Sequence, residues 1–366
     1  MRQTATTADG RGAVDAWVAA IFANQRSWLR QMASSSPGSV SRSRGLTIIH
    51  GTYDGSIVVA PGRSASGWAL DGAFEALRQR APVGGVLIWS ATSDEPVRMA
   101  LTRYLLARGC DKSFRPHWMH RDLTDLSDLA GLPGSPGIRI RLAIPGDDGE
   151  IAAAADAGTP YTSPHEAAAL IAHGRLPVSR QRAWLFLARE ERDAGAAGAA
   201  GAVVGQVAVH LTRGRRGIAG VYSMGVLPAA RRRGIGSALI RAAATFAQRR
   251  GATALGLNAT PDGERLYSRL GFTAVGDGQT WHLPAGRLGT PPDAELITLA
   301  EEIAGGALPT LERFPAARIT TTSLPNEESP LAFAARFGQE TTARWLLAHG
   351  AMPEVMPFWS LGWRDE

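Results

Sequence analysis

The run V-L-P-A-A-R-R-R-G-I-G-S-A, residues 226–238, decides how the rest of the chain is read. An apolar strand enters a proline, then three arginines, then Gly-x-Gly, then an alanine-rich stretch with helical character. Strand, glycine bend and helix start in that order form a cradle for paired phosphates. Gly234 and Gly236 carry no Cβ, so the backbone can turn tightly and come close to a ligand. A helix starting there aims unpaired N–H groups and its positive dipole end at an anion. Arg231, Arg232 and Arg233 add fixed charge in a shape suited to phosphate. The expected diphosphate ligands are therefore Arg231, Arg232, Arg233, Gly234, Ile235, Gly236 and Ser237.

Two other phosphate loops are excluded. G-x-x-x-x-G-K-[ST] is absent, and Lys112, the only lysine, lies far from this loop. A dinucleotide fingerprint needs a third glycine or alanine where Leu239 stands. What remains is R-x-x-G-x-G at Arg231, Gly234 and Gly236, which resembles the acyl-coenzyme-A loop of the GCN5-related N-acetyltransferase (GNAT) superfamily. A second run, G-E-R-L-Y-S-R-L-G-F at 263–272, is similar to that family's segment after its fifth strand. There a tyrosine on a helix precedes a Gly-Phe turn, and here these are Tyr267, Gly271 and Phe272. The resemblance covers about residues 137–285. It implies an α/β (α+β) fold, a mixed and mostly antiparallel sheet flanked by helices.

At 366 residues the chain has room for two or three domains, and 45% hydrophobic residues suffice for ordinary cores. No run reaches the ~18 unbroken apolar residues of a membrane span. The first residues are polar and lack a charged-then-apolar leader pattern, so a cytoplasmic location is expected. Cys110 is the only cysteine, which excludes an intrachain disulfide or a cysteine metal cluster. The net charge of +6 rests on arginines spread beside acidic residues, with no aromatic-basic track. Nucleic-acid binding is therefore not expected. His117 and His120 lack a third ligand nearby, so no metal is expected either.

Residues 1–45 read as an amphipathic helix (13–32) followed by a linker (34–45). Residues 46–135 alternate: hairpin strands at 48–49 and 57–59, a helix at 67–80, a strand at 86–90, a helix at 95–107. Setting Gly109-Cys110 against Gly271-Phe272 puts Tyr104 opposite Leu266. This segment is read as a degenerate GNAT-like half without a cofactor loop, the alternative being an unrelated α/β module. Residues 137–285 are read as the catalytic GNAT domain. Its expected strands are 138–143, 183–189, 203–211, 219–226, 253–258 and one from Trp281. Its helices are expected at 148–155, 163–173 and 236–250, and around Tyr267. Residues 193–201 form an Ala/Gly tract, and 213–217 a turn. In 291–366, S-P-L-A-F-A from Ser329 resembles the ankyrin pattern T-P-L-H-x-A. One or two such repeats cannot bury a core alone, so this all-helical tail is expected to pack on the acetyltransferase body.

Amine acetylation from a thioester needs the cofactor held, its carbonyl polarised, the amine deprotonated and the thiolate protonated. The resemblance implies acetyl-CoA as the cofactor, with Met224 and Val226 on a strand splayed from its neighbour. The Val226 N–H would meet the acetyl oxygen, a contact contributing about 3 kcal/mol. Tyr267 stands where the family has its general acid, the alternative being a tyrosine that only packs beside the cofactor. Asn258 and Thr260 would touch the cofactor's amide arm. No general base stands out. Glu190, Glu191, His210 and Tyr222 are candidates, each weighed against an ordinary strand-end or core role. The loop 157–163, with Tyr161, would govern substrate choice. The expected function is transfer of acetyl to a primary amine of a small molecule. A non-catalytic acyl-CoA-binding sensor or scaffold, recruiting a protein through the tail, is the alternative. A longer acyl donor, and a homo-oligomer contact through the tail, are further readings.

Overall fold

A computed structural model describes residues 8–34, 38–43, 45–51, 55–59, 67–79, 84–92, 94–144, 146–147, 149–151, 153, 164–191, 201–212, 217–311 and 313–353. In chain order these begin with α1 (Ala8–Ser34), β1 (Ser39–Ser43), β2 (Leu46–His50), β3 (Gly55–Val59), α2 (Gly67–Arg78) and β4 (Val86–Ser90). Next come α3 (Glu95–Leu106), β5 (Asp111–Lys112), β6 (His117–Asp122), α4 (Ser127–Ala130), β7 (Ile138–Leu142) and α5 (Pro164–Gly174). Then follow β8 (Ala183–Glu190), β9 (Val203–Leu211), β10 (Ile218–Val226), α6 (Ile235–Arg249), β11 (Ala254–Ala259), α7 (Pro261–Arg269), β12 (Thr273–Asp277) and β13 (Gln279–Leu283). The helices α8 (Ala285–Gly289), α9 (Ala294–Gly305), α10 (Leu308–Leu311), α11 (Ala316–Thr321), α12 (Pro330–Arg336) and α13 (Glu340–Ala348) close the order. These elements fall into two compact units, one drawn from 1–40 with 115–278 and the other from 41–114 with 279–366.

The first unit carries the glycine loop on a seven-stranded sheet in the order β12-β6-β11-β10-β9-β8-β7. β10 and β11 run parallel because α6 carries the chain back between them; the other neighbours are antiparallel. The apolar stripe of α6 (Leu239, Ile240, Ala243, Ala247) buries one face with Val207, Val209, Val221, Leu255 and Leu257. On the other face Trp28 of α1 shares a core with Leu170, Leu185, Leu187 and Ala208. Glycines let α1 approach that closely. A Cβ on Gly256 would stand 2.8 Å from Ile21 Cγ1, and one on Gly220 2.0 Å from Asn24 Oδ1.

The second unit repeats the same plan. Its six-stranded sheet runs β1-β2-β3-β4-β13-β5, with β3 and β4 parallel and α2 between them in sequence. After α3, Gly109 turns with φ 86, as Gly271 does after α7 with φ 77. The matched strand–helix–strand–helix–turn order and the two mixed sheets favour a duplicated fold.

Three expectations are corrected. The division at residues 135–137 does not follow the sheets. β6 lies between β11 and β12, pairing His117 with both Ala259 and Asp277. In return β13, expected to close the second half, lies between β4 and β5 and pairs Trp281 with Ile88 and Lys112. Register and burial decide this, since Trp118 and Trp281 are fully enclosed in their respective sheets. The linker at 34–45 contains a strand, β1. The tail from 291, expected to pack on residues 137–285, instead shares the core of the second unit: Leu299, Ile303, Phe333 and Leu346 lie with Ile57, Leu77, Ile88 and Leu105. What the structure establishes for the tail is a set of helices in that core. The loop 157–163 with Tyr161, and residues 192–200 and 213–216, lie outside the described residues, as do 148, 152, 154 and 155 of the helix expected at 148–155.

Candidate active site

β10 stays in parallel register with β11 only from Ile218↔Ala254 to Val221↔Leu257. Beyond that point it remains paired with β9, while β11 goes its own way. A bulge interrupts the β9 pairing between Tyr222 and Gly225, and Ser223 takes φ 48 within it. After the bulge Gly225 faces Gln206 and Val226 faces Gly205. Leu227 N–H donates to Val204 O at 2.9 Å, which makes that pair the hydrogen-bonded one. By alternation Val226 turns its N–H and C=O away from β9, toward the side where β11 has parted. Arg231 Nε donates to that carbonyl at 3.3 Å, which accords with its outward direction.

The glycine loop follows. Residues 231–234 are exposed, Arg232 takes φ 63 and Gly234 takes φ 78 as the N-cap of α6. No side chain caps that helix, and a Cβ on Gly234 would meet nothing within 4 Å. The first N–H groups of Ile235, Gly236 and Ser237 therefore lead into open space. Gly236 differs: a Cβ there would lie 3.0 Å from Leu266 Cδ2 and 3.4 Å from Met224 Cε. Ser135 Oγ donates to Arg233 O at 2.6 Å and steadies the bend.

Met224 and Val226 pack against the same core that holds Ile235, Leu239 and Tyr267. Met224, Val226, Ile235, Leu266 and Tyr267 thus belong to one core, with Met224 and Leu266 flanking Gly236. Tyr267 is 7% exposed, its ring 5.5 Å from that of Phe272. Two expected cofactor contacts are already engaged. Asn258 Oδ1 accepts the His117 N–H at 3.0 Å, and Thr260 Oγ1 caps α7 by accepting Gly263 N–H at 3.1 Å. Both side chains serve the fold, one tying β6 to β11 and the other starting a helix.

The base candidates fare likewise. Glu190 pairs with Arg233 at 2.7 Å, beside the glycine loop. Glu191 is exposed, its N–H bonded to Gly137 O at 2.7 Å. His210 is enclosed under α1, with Nε2 2.9 Å from Ser27 Oγ, and burial pushes its pKa down to about 3. Burial drives the Tyr222 hydroxyl well above its usual range, and it donates to Asn24 Oδ1 at 2.6 Å. Glu190, His210 and Tyr222 are engaged through their side chains, and Glu191 is exposed. No group of three or more His, Cys, Asp or Glu able to hold a metal occurs among the described residues. No described helix is long and apolar enough to cross a membrane.

Two site residues escaped sequence reasoning. Asn24 is fully buried on the apolar stripe of α1, and Gln206 is fully buried within an apolar strand. The signal for Gln206 was a lone amide between Val204 and Val207, and for Asn24 an amide pair, Asn24-Gln25, following Ile21 and Phe22.

Residues 156–272 match the acetyltransferase (GNAT) family. No curated protein matches the sequence. Among solved structures the chain is similar to a GCN5-related N-acetyltransferase from Kribbella flavida. The identity is 20%, covering 75% of this chain and 98% of that one, with a TM-score of 0.51. It is also similar to a GCN5-related N-acetyltransferase from Sphaerobacter thermophilus, at 20% identity over 68% and 76% of the two chains and a TM-score of 0.44. A tandem GNAT protein from the clavulanic acid biosynthesis pathway matches at 20% identity over 70% and 85%, with a TM-score of 0.46. At such identities the likeness is one of fold. The region 156–272, with its parted strands and glycine loop, is thus similar to the GNAT acetyltransferase family in sequence, and the chain shares that fold.

Proposed function

We propose that the unit carrying the glycine loop is an acetyl-CoA-dependent N-acetyltransferase acting on a primary amine of a small molecule. The observation that carries this reading is the parting of β10 from β11 after Val221↔Leu257, with Val226 turned into the gap. The uncapped start of α6 and the empty space at Gly234 fit a pyrophosphate.

Acetyl-CoA would supply an activated acetyl group as a thioester. The chain's own residues supply the rest. Ile235, Gly236 and Ser237 N–H groups, with Arg231 and Arg232, hold the phosphates. Arg233 contributes less, because Glu190 offsets its charge. Val226 N–H hydrogen-bonds the acyl oxygen as negative charge develops on it. Tyr267 donates its phenolic proton to the departing sulfur. With the four base candidates engaged or exposed elsewhere, the amine loses its proton to water rather than directly to any of them. Asn258 and Thr260 are assigned to the fold.

Incubation with acetyl-CoA and pools of primary amines, followed by mass spectrometry, tests the proposal. A product heavier by one acetyl group is expected, and its loss when Gly236 is made bulky ties it to this loop.

A second reading, a non-catalytic acyl-CoA-binding protein, is favoured by one observation: Tyr222 and His210 are both roofed by α1. Tight acetyl-CoA binding with no product from any amine pool would select it.

A further inference from the structure

The N-terminal helix lies outside the family match, yet its Asn24 is the most heavily bonded side chain on the sheet face it covers. Asn24 Nδ2 lies within hydrogen-bond reach of His210 O at 3.0 Å, Thr212 Oγ1 at 3.1 Å and Ile218 O at 3.2 Å. Its Oδ1 accepts the Tyr222 hydroxyl at 2.6 Å. The Tyr222 ring is stacked on Trp28 of the same helix, centroids 4.5 Å apart and planes 2° apart. Room for this exists only because position 220 is glycine, where a Cβ would overlap both Asn24 and Tyr222. Tyr222 is the last regular residue of β10 before its bulge. From the neighbouring strand β9, Gln206 Nε2 reaches into the bulge and donates to Ser223 O at 3.3 Å. Gln206 is wholly buried, and its Oε1 has no hydrogen-bond partner. An amide kept there with an unsatisfied oxygen is unusual, because its burial is unfavourable unless the one bond it does make matters.

We infer that Asn24 and Gln206 are positioning residues that hold the β10 bulge at two points, Asn24 from α1 and Gln206 from β9, and so aim the Val226 N–H at the acyl oxygen. The inference rests on the acetyltransferase reading above and assigns the N-terminal helix a part in that site. Asn24 fixes the strand before the bulge through Tyr222, and Gln206 fixes the irregular peptide inside it. An extra residue in one strand otherwise leaves the following peptides free to rotate, and a small rotation misdirects a hydrogen bond.

Tyr222→Phe removes one hydroxyl and keeps the stack on Trp28; Gln206→Met keeps the length and removes the donor. Each full-length variant is compared with the parent in three measurements: acetyl-CoA affinity by calorimetry, turnover with the best amine, and the infrared carbonyl stretch of bound carbon-13-labelled acetyl-CoA. The parent should lower that carbonyl frequency on binding. Each variant is expected to keep affinity within about 3-fold, lose at least half of the frequency shift, and lose about 10-fold or more in turnover. Adding Asn24→Ala to Tyr222→Phe should do little more to the shift. Variants that bind, melt and shift the carbonyl as the parent does would overturn the clamp alone. A parent that fails to bind acetyl-CoA would overturn the acetyltransferase reading and the clamp with it. Should a variant fold poorly, the other still decides the matter, since the two act through separate bonds, one from α1 and one from β9.

Discussion

Leu266 stands against Gly236, its Cδ2 3.0 Å from where a Cβ would be. In the other unit Tyr104 stands against Gly67 in the same way: its ring lies 2.7 Å from the point where a Cβ would be, and its hydroxyl donates to Gly67 O. The sequence match of Tyr104 with Leu266 is thus a match in space. Arg108 in turn lies over the Tyr104 ring at 3.5 Å.

Gly236 is expected to tolerate alanine and reject valine. Leu266 Cδ2 is the end of a flexible side chain and can shift by a few tenths of an ångström. Two more methyl groups would displace both Leu266 and Met224. Gly236→Val should weaken acetyl-CoA binding by at least about 10-fold, or ~1.4 kcal/mol. Calorimetry on a variant that melts normally checks it, and unchanged affinity would remove the loop from the binding site.

Glu190→Gln should leave turnover within about 2-fold at saturating acetyl-CoA. The carboxylate is engaged by Arg233 at the phosphate end rather than at the acyl end. Freed of that partner, Arg233 should improve cofactor affinity modestly at low ionic strength, and the gain should fade with added salt as exposed charges are screened. Loss of turnover would instead identify Glu190 as the base.

Tyr267→Phe should reduce turnover by about 100-fold while cofactor affinity changes little, since proton donation matters only as the thiolate leaves. The ring's place beside Phe272 is retained by phenylalanine, so melting should be unaffected. An unaltered rate would leave Tyr267 with a packing role.

His210 makes stability depend on pH with a definite sign. Its folded-state pKa is pushed down to about 3 by burial, against an ordinary value near 6.5. Between these values the unfolded chain holds a proton that the folded one refuses. This group's contribution is therefore complete above about pH 6.5. It is lost as pH falls toward 3, at up to ~1.4 kcal/mol per pH unit. Denaturant titrations from pH 7 to 4 should show the loss, and His210→Gln should flatten it. Equal slopes in the two proteins would refute the assignment.

Much of the candidate site was legible because its chemistry is local. The R-x-x-G-x-G run needs only consecutive backbone atoms to make its bend, and α6 begins at Ile235 beside the expected glycines. Val226 could be singled out by counting back from that bend. The bonds of Asn258 and Thr260 within the fold were not legible, because a polar residue at a strand end reads the same whether it meets a ligand, a neighbouring strand or a helix N–H. Here it met the latter two.

What the sequence alone determined was the elements flanking the glycine loop and the bend itself, because helical period, strand period and turn residues act over a few neighbouring positions. Which strands share a sheet was decided only in three dimensions. β6 and β13 each pair far from their sequence neighbours, and α1 reaches β10 through a hydrogen bond spanning 198 residues. Pairing energy depends on register, burial and shape at the point of contact, and none of these is written in the spacing of adjacent residues. The fate of His210 and Tyr222 was settled in the same way: whether a titratable side chain meets water or a helix is a property of the packed molecule.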